Sequence, residues 1–239
     1  MAAPNIGEGD RQVKKLTTQQ LGQYQRDGFV VVPEVFPQTQ LQRVEAEIER
    51  LQAAAEKARN PGWIMQLGLR SPLTRAFAQD ERVLTLIEDI VRPGIAIYSA
   101  KLTAKLPQSD EICHWHQDNA YYNAHAPSAA RMSTWIPLRD ADLENGCLWV
   151  VPGSHKKGVS QHGQYGGQCP QSMGPADMAV EGAVPCPVRA GDMLLFSADL
   201  WHHSKENHTD QIRRAFIVSY QEATVPLGNG AQWKVLRAA

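Results

Sequence analysis

Ile95-Ala-Ile-Tyr-Ser-Ala-Lys-Leu-Thr-Ala-Lys-Leu106 is where the chain changes character. The stretch reads as one long strand, with Ser99, Lys101, Thr103 and Lys105 on one face. A solvated sheet edge is the default account of two lysines there; a polar pocket is the other. Further strand candidates follow at 113–118, 132–138, 147–151, 184–188, 193–197, 200–204 and 212–220, with turns at Asn145-Gly146 and Ala190-Gly191-Asp192. Many short strands punctuated by glycine and proline point to a β-sandwich or barrel. Residues 153–183 are rich in Gly, Gln, His and Ser and lack periodicity, which marks a long functional loop, a candidate lid.

Upstream of this region the pattern is helical. Thr17 or Thr18 caps a helix running to Arg26, closed by Gly28, and Phe29-Val-Val-Val32 is a short buried strand before Pro33. Leu41, Val44, Ile48 and Leu51 recur at helical spacing, and Asn60-Pro61-Gly62 ends that helix. A third helical region opens at Ser71-Pro72 and stops near Pro93-Gly94. The expected organisation is a single domain: a loose lead-in over 1–16, helical support over 17–94, and a β core over 95–220.

Composition narrows the function. The 239 residues hold 24 Lys and Arg against 25 Asp and Glu, a net charge of −1, which argues against nucleic acid or an anionic membrane as partner. There is no apolar run of membrane-spanning length and no secretory pattern at Met1-Ala-Ala-Pro-Asn5, so a cytoplasmic protein is expected. Cys113, Cys147, Cys169 and Cys186 form no Cys-x-x-Cys pair and are expected as reduced thiols.

The chemistry concentrates in Cys113-His114-Trp115-His116-Gln117-Asp118-Asn119. On a strand, His114, His116 and Asp118 leave from one face about 6.5 Å apart, close enough to share one ion. Eight histidines make a chance His-x-Asp common, so a further ligand is needed. Trp201-His202-His203-Ser204 offers two histidines, only one of which can point into a barrel. On Ile212–Tyr220, Arg213, Ala215, Ile217 and Ser219 share one face, and Arg214, Phe216, Val218 and Tyr220 the outer one. Two histidines and a carboxylate with open positions are the facial triad of non-haem Fe(II) oxygenases. A nearby arginine suits a carboxylate-bearing cosubstrate.

The ordered run Trp115-His-Gln-Asp118, Glu144-Asn-Gly-Cys-Leu148, Val151-Pro-Gly-Ser-His155, Gly191-Asp192, His202-x-Ser204, Asn207 and Arg213 resembles the phytanoyl-CoA dioxygenase family. The opening Asp27-Gly-Phe-Val-Val31 between two helices fits too, so the resemblance extends from about Thr17 to Tyr220. It implies a mainly β fold, a double-stranded β-helix (jelly-roll, cupin-like) with helices outside. It implies Fe(II) held by His116, Asp118 and His202, with 2-oxoglutarate and O2 as cosubstrates. By position, Arg213 matches the arginine on the distal carboxylate of 2-oxoglutarate, Ser204 a hydroxyl beside it, and Trp135 a tryptophan lining that site. Lys101 stands where relatives carry methionine, and is expected to meet the cosubstrate or an anionic substrate. Lys105, Tyr121 and Gln66 are the candidate substrate residues; Tyr122 and His125 follow the metal motif and could also line the site. His114 is demoted to a neighbour, and His155, His162 and His208 are expected at the surface.

The implied reaction is oxidative decarboxylation of 2-oxoglutarate to succinate and CO2, coupled to hydroxylation of a C–H bond in a small organic substrate. Two competing readings stand beside it. One is a redox-inert cupin-type enzyme using His114 and His116 with zinc or manganese; the other is a non-catalytic 2-oxoglutarate or metal sensor.

Overall fold

The computed structural model describes residues 14–54, 62–122, 127–128, 130–169, 171–175, 177–225 and 235–239. Helix α1 (Thr18–Asp27) starts at a capping box between Thr17 and Gln20 and ends at Gly28, whose φ of 85° favours glycine. It leads into β1 (Phe29–Val32). Helix α2 (Gln38–Ala54) is followed by the two-residue β2 (Trp63–Ile64), α3 (Pro72–Ala78) and α4 (Glu81–Ile87). The expected third helix is therefore two, broken at Gln79-Asp80, where the Asp80 carboxylate caps α4 through the Arg82 amide. Asn60 and Pro61, expected to end α2, lie outside the described residues, as do His125 and residues 1–13 of the lead-in.

Among the described residues, eleven strands form two antiparallel sheets. The larger runs β1, β8 (Met193–Ser197), β5 (Met132–Pro137), β10 (Arg213–Gln221), β3 (Ile95–Lys105) and β11 (Val235–Arg237), with β2 also on β3. The smaller runs β4 (Cys113–His116), β9 (His202–Ser204), β6 (Leu148–Val150) and β7 (Val184–Cys186). Strands come close to their expected bounds, with two instructive departures. The strand expected over 200–204 begins only at His202. The one expected over 113–118 stops at His116, and Asp118 opens a single helical turn, α5 (Asp118–Tyr122).

Two apolar layers explain the arrangement. Outside the large sheet, Leu41, Val44 and Ile48 of α2 and Phe77 of α3 pack against Phe216, Val218 and Tyr220 of β10. Phe77 sits 4.8 Å from Phe36 and 5.2 Å from Phe216, ring centre to ring centre. Leu41 and Ile48 are fully buried, worth about 1.5–3 kcal/mol each. Between the sheets, Trp135, Leu148, Leu194, Phe196, Ala215 and Ile217 form the inner layer. Period-two alternation thus gives each strand of the large sheet one face for the helices and one for the barrel interior.

Burial corrects the account of the two lysines. β3 is no edge, since it pairs with β10 and also with β2 and β11, and every residue of it is buried, Lys101 and Lys105 included. The loop over 153–183 is also less loose than its composition suggests. Its backbone bonds to β4 and the residue before it, Gln168 N–H to Ile112 O and Met173 N–H to Trp115 O. It also folds on itself through Gly163 and Ser172. No helix among the described residues is long and apolar enough to cross a membrane.

Candidate metal and cosubstrate site

His116 and His202 face each other across the β4–β9 pair, in direct register, with ring centres 4.0 Å apart. Each uses Nδ1 to bond the carbonyl two residues earlier, His116 to His114 O and His202 to Leu200 O, both at 2.8 Å. That leaves Nε2 of each ring with its lone pair directed at the space between. Asp118 reaches the same space from the first turn of α5. Ligand atoms of His116, Asp118 and His202 lie within 4.8 Å of one another, and all three residues are buried.

The surroundings keep the triad in its ligating protonation states. Burial alone would raise the Asp118 carboxyl. Lys101, His202, His116 and a 2.7 Å hydrogen bond from Ser133 Oγ outweigh it and hold the carboxyl at about 2. Ser133 is itself 2.9 Å from Ser219, hydroxyl to hydroxyl. Burial lowers His116 and His202, so both imidazoles are neutral. Burial also works against charge on Lys101, but Asp118 and Tyr122 outweigh it, and its pKa is raised. Lys101 Nζ lies 2.8 Å from Tyr122 Oη and 3.6 Å from Asp118 Oδ1.

A small cavity opens onto this cluster, walled by all three residues together with Lys101, Trp135, Ser204 and Arg213. Arg213 projects inward from the start of β10, its guanidinium carbon 5.4 Å above the Trp135 ring. It is 3% exposed, and its Nε and Nη1 have no hydrogen-bond partner among the described residues. Burial pulls its pKa down to about 10. Arg214 points the other way, to Glu45 at 2.8 Å and Glu49 at 3.0 Å under α2, as the alternation of β10 requires. A buried fork of unbonded N–H groups beside two open imidazole nitrogens and a carboxylate suits a metal and a carboxylate-bearing ligand.

The three candidate substrate residues do not come together there. Lys105, paired with Arg213 in the β3–β10 register, is fully buried, donates to Glu111 O at 2.6 Å and does not wall the cavity. Gln66 sits in a left-handed turn with its side-chain oxygen 3.4 Å from the Ala100 amide. Tyr121 donates to Gln171 O of the loop, its ring 6.0 Å from that of His116. His114 is drawn outward to Tyr165 O at 3.1 Å, away from the triad. His162, expected at the surface, accepts the Gln117 amide at 3.1 Å, inside the metal motif; Nδ1 of His155, also expected there, is buried.

Three features lay outside the expectations. Ser133 holds Asp118, and it lies two residues before Trp135 on the same strand face, a signal that was there to be used. Gln168 and Trp63 join the cavity wall from distant segments with no local signal. Cys113 and Cys169 are joined in a disulfide on the same wall, which overturns the expectation of four reduced thiols. Cys147 and Cys186 remain free and buried.

The sequence profile of the phytanoyl-CoA dioxygenase family matches residues 24–215. The chain belongs to that family. Among curated relatives of this family member is the mouse (Mus musculus) phytanoyl-CoA dioxygenase domain-containing protein 1, 29% identical over 175 residues, 70% of this chain and 59% of that one. The chain thus spans about three fifths of the length of that relative. The ectoine dioxygenase of Bordetella parapertussis is 24% identical over 84% of this chain and 73% of its own. Among solved structures, the epimerase SnoN in complex with Fe3+, alpha ketoglutarate and nogalamycin RO is 25% identical. It superposes with a TM-score of 0.71 over 89% of this chain and 86% of that one. The carbocyclase SnoK from nogalamycin biosynthesis has a TM-score of 0.75 at 21% identity, over 94% and 91%. The family member's two sheets are the halves of a double-stranded β-helix, as the sequence led one to expect.

Proposed function

We propose that this family member is an Fe(II)/2-oxoglutarate-dependent oxygenase that hydroxylates a C–H bond of a small organic substrate. The observation that carries the reading is Arg213, a buried guanidinium with two unbonded N–H groups in the same cavity as His116, Asp118 and His202. In this reading His116 Nε2, His202 Nε2 and an Asp118 oxygen hold the iron. When bound, iron and 2-oxoglutarate supply the oxidising power, with succinate and CO2 as co-products.

The chain's own residues bind and orient. Arg213 takes the distal carboxylate of 2-oxoglutarate, and Trp135 beneath it fixes the plane of the guanidinium. Ser204, buried on the same wall, stands beside that carboxylate. Ser133 and Lys101 occupy the two oxygens of Asp118 from either side, so the carboxylate cannot swing. Lys101, with its charge directed at Asp118, is a positioning group for the metal ligand in this reading. Leu148, Phe196 and Ile217 cover the cavity's apolar side and keep water from the metal.

The test is succinate formation by purified protein with Fe(II), 2-oxoglutarate and O2, with Asp118→Ala as control. Uncoupled turnover above that control is expected, along with 2-oxoglutarate binding under anaerobic conditions. The absence of both succinate formation and anaerobic 2-oxoglutarate binding would overturn the reading; binding without turnover against a substrate panel would move it to the sensor alternative. The zinc or manganese cupin alternative lacks support, because His114 turns to Tyr165 rather than to the ion site.

A further inference from the structure

Three charged side chains meet on the cavity wall among the described residues: Lys101, Arg213 and Asp118. All three are buried. With both imidazoles neutral, the wall carries one net positive charge. Iron(II) and doubly ionised 2-oxoglutarate cancel each other, so loading the site as proposed above leaves that charge unanswered. A net charge held away from water is costly until an opposite one joins it.

The surplus sits at Lys101, because Arg213 is the group that receives the distal carboxylate of 2-oxoglutarate. Lys101 pairs across the ladder with Ile217, four residues beyond Arg213 and about 13 Å along β10. Its ammonium leans farther the same way, toward Tyr122 and toward Asp118, which Ser133 holds opposite Ser219. Of its three N–H groups, one donates to Tyr122 Oη at 2.8 Å. Asp118 Oδ1, at 3.6 Å, lies beyond hydrogen-bond length. A divalent ion drawing on the same carboxylate weakens that pair further. Trp63, whose ring centre is 5.3 Å from Nζ, also walls the cavity but offers no acceptor oxygen. Lys101 thus keeps donor capacity that no described residue uses.

We propose that the substrate of this family member carries a carboxylate, and that Lys101 receives it at the end of the cavity away from Arg213. The inference deepens the function proposed above and rests on it. One carboxylate supplies the single negative charge that the loaded cavity lacks, and two oxygens that accept from the ammonium. A neutral group of the same shape leaves the charge unpaired, and a cationic one adds to it. The anchor also decides which C–H of the substrate is presented to the metal, since that bond must lie between Lys101 and the triad.

Butyrate is the probe, with butyramide as its neutral isostere. Each is titrated anaerobically at pH 8 into full-length protein loaded with Fe(II) and 2-oxoglutarate, while the visible iron-to-2-oxoglutarate charge-transfer band is read. Butyrate is expected to shift the band and to bind at least about tenfold more tightly than butyramide. Lys101→Met should remove that preference and Lys101→Arg should keep part of it, with 2-oxoglutarate affinity little changed in either. The comparison of probes in wild type needs no variant to fold. Equal affinity for the two probes, or a preference that survives in Lys101→Met, would overturn the proposal. So would butyrate that only bleaches the band, since it then displaces 2-oxoglutarate. A large loss of 2-oxoglutarate affinity in Lys101→Met, with no butyrate preference in wild type, assigns the ammonium to the cosubstrate instead. If the band never forms, the function proposed above fails before any probe is added, and this inference falls with it.

Discussion

Lys101 Nζ lies 3.6 Å from Asp118 Oδ1, with both side chains buried, so a cation is built against the carboxylate of the candidate metal site. Its charge lowers Asp118 and also lowers His116 and His202. Lys101→Met should therefore raise all three. Each rise brings protons into competition with the metal at higher pH, so the acid limb of metal binding moves upward. At pH 8, where all three already bind metal, affinity should hold or improve, since a nearby positive charge is gone. Mn(II) or Co(II) titrations between pH 5 and 8 check this; an acid limb that stays put removes Lys101 from the account.

Arg213 and Arg214 are neighbours with opposite expected behaviour. Arg213→Ala removes a buried cation that has no carboxylate partner among the described residues, so stability should be unchanged or slightly raised while 2-oxoglutarate binding is lost and metal binding kept. Arg214→Ala leaves the buried Glu45 with Arg139, at 3.1 Å, as its remaining cation among the described residues. The Glu49 contact counts for little, because that carboxylate is 55% exposed. A cost of about 3 kcal/mol follows for the buried pair, or a Tm lower by about 6–12 °C in a chain of this size. Thermal melts beside anaerobic binding separate the two; a clamp at Arg214 would reverse the pattern.

Lys105 predicts a pH dependence of stability. Burial, then Arg213, lowers its pKa from 10.5 to about 7. Between those values the unfolded chain holds a proton that the folded one lacks, so this group makes stability rise with pH from about 7 to 10.5. Lys105→Met deletes that slope. The variant should gain on wild type by a few kcal/mol at pH 7 and below, with the gain fading toward pH 10.5. Urea titrations at pH 6.5, 8 and 9.5 measure it, and a gain independent of pH would contradict the assignment.

Asn207, fully buried, ties the end of β3 to the start of β10. Its amide donates to Lys105 O, Leu106 O and Gln211 O at 2.8–3.2 Å, and its oxygen accepts from Thr209 N–H at 3.0 Å. Asn207→Ala strands these groups and should cost about 3 kcal/mol. Because Arg213 begins β10, 2-oxoglutarate binding should weaken while the metal site, held from β4 and β9, keeps its affinity. Parallel melts and ligand titrations test the split.

How much of this the sequence disclosed depended on the range of the interaction involved. The two faces of β10 were legible because alternation is local. Arg213 and Ile217 wall the cavity, whereas Phe216 meets Phe77 and Tyr220 donates to Ala78 O. Alternation alone left Lys101 open between a solvated edge and a polar pocket, because its surroundings are set by β10, more than a hundred residues away. The disulfide was invisible for a like reason, since Cys169 reaches Cys113 only when the loop lies along β4. Asp118 does come beside His116 and His202, but from a helical turn, not from the continuing strand that the alternation argument assumed.

The tripeptides His114–His116 and Leu200–His202 each carry both an imidazole and the carbonyl that sets its tautomer. The orientation of each ring is therefore set within a few consecutive residues, while the loop over 153–183 braces the backbone on either side of them through Met173 to Trp115 O and Ser154 to the Trp201 amide. A substitution that leaves those two carbonyls in place therefore leaves the tautomer of both imidazoles unchanged, wherever else in the chain it falls.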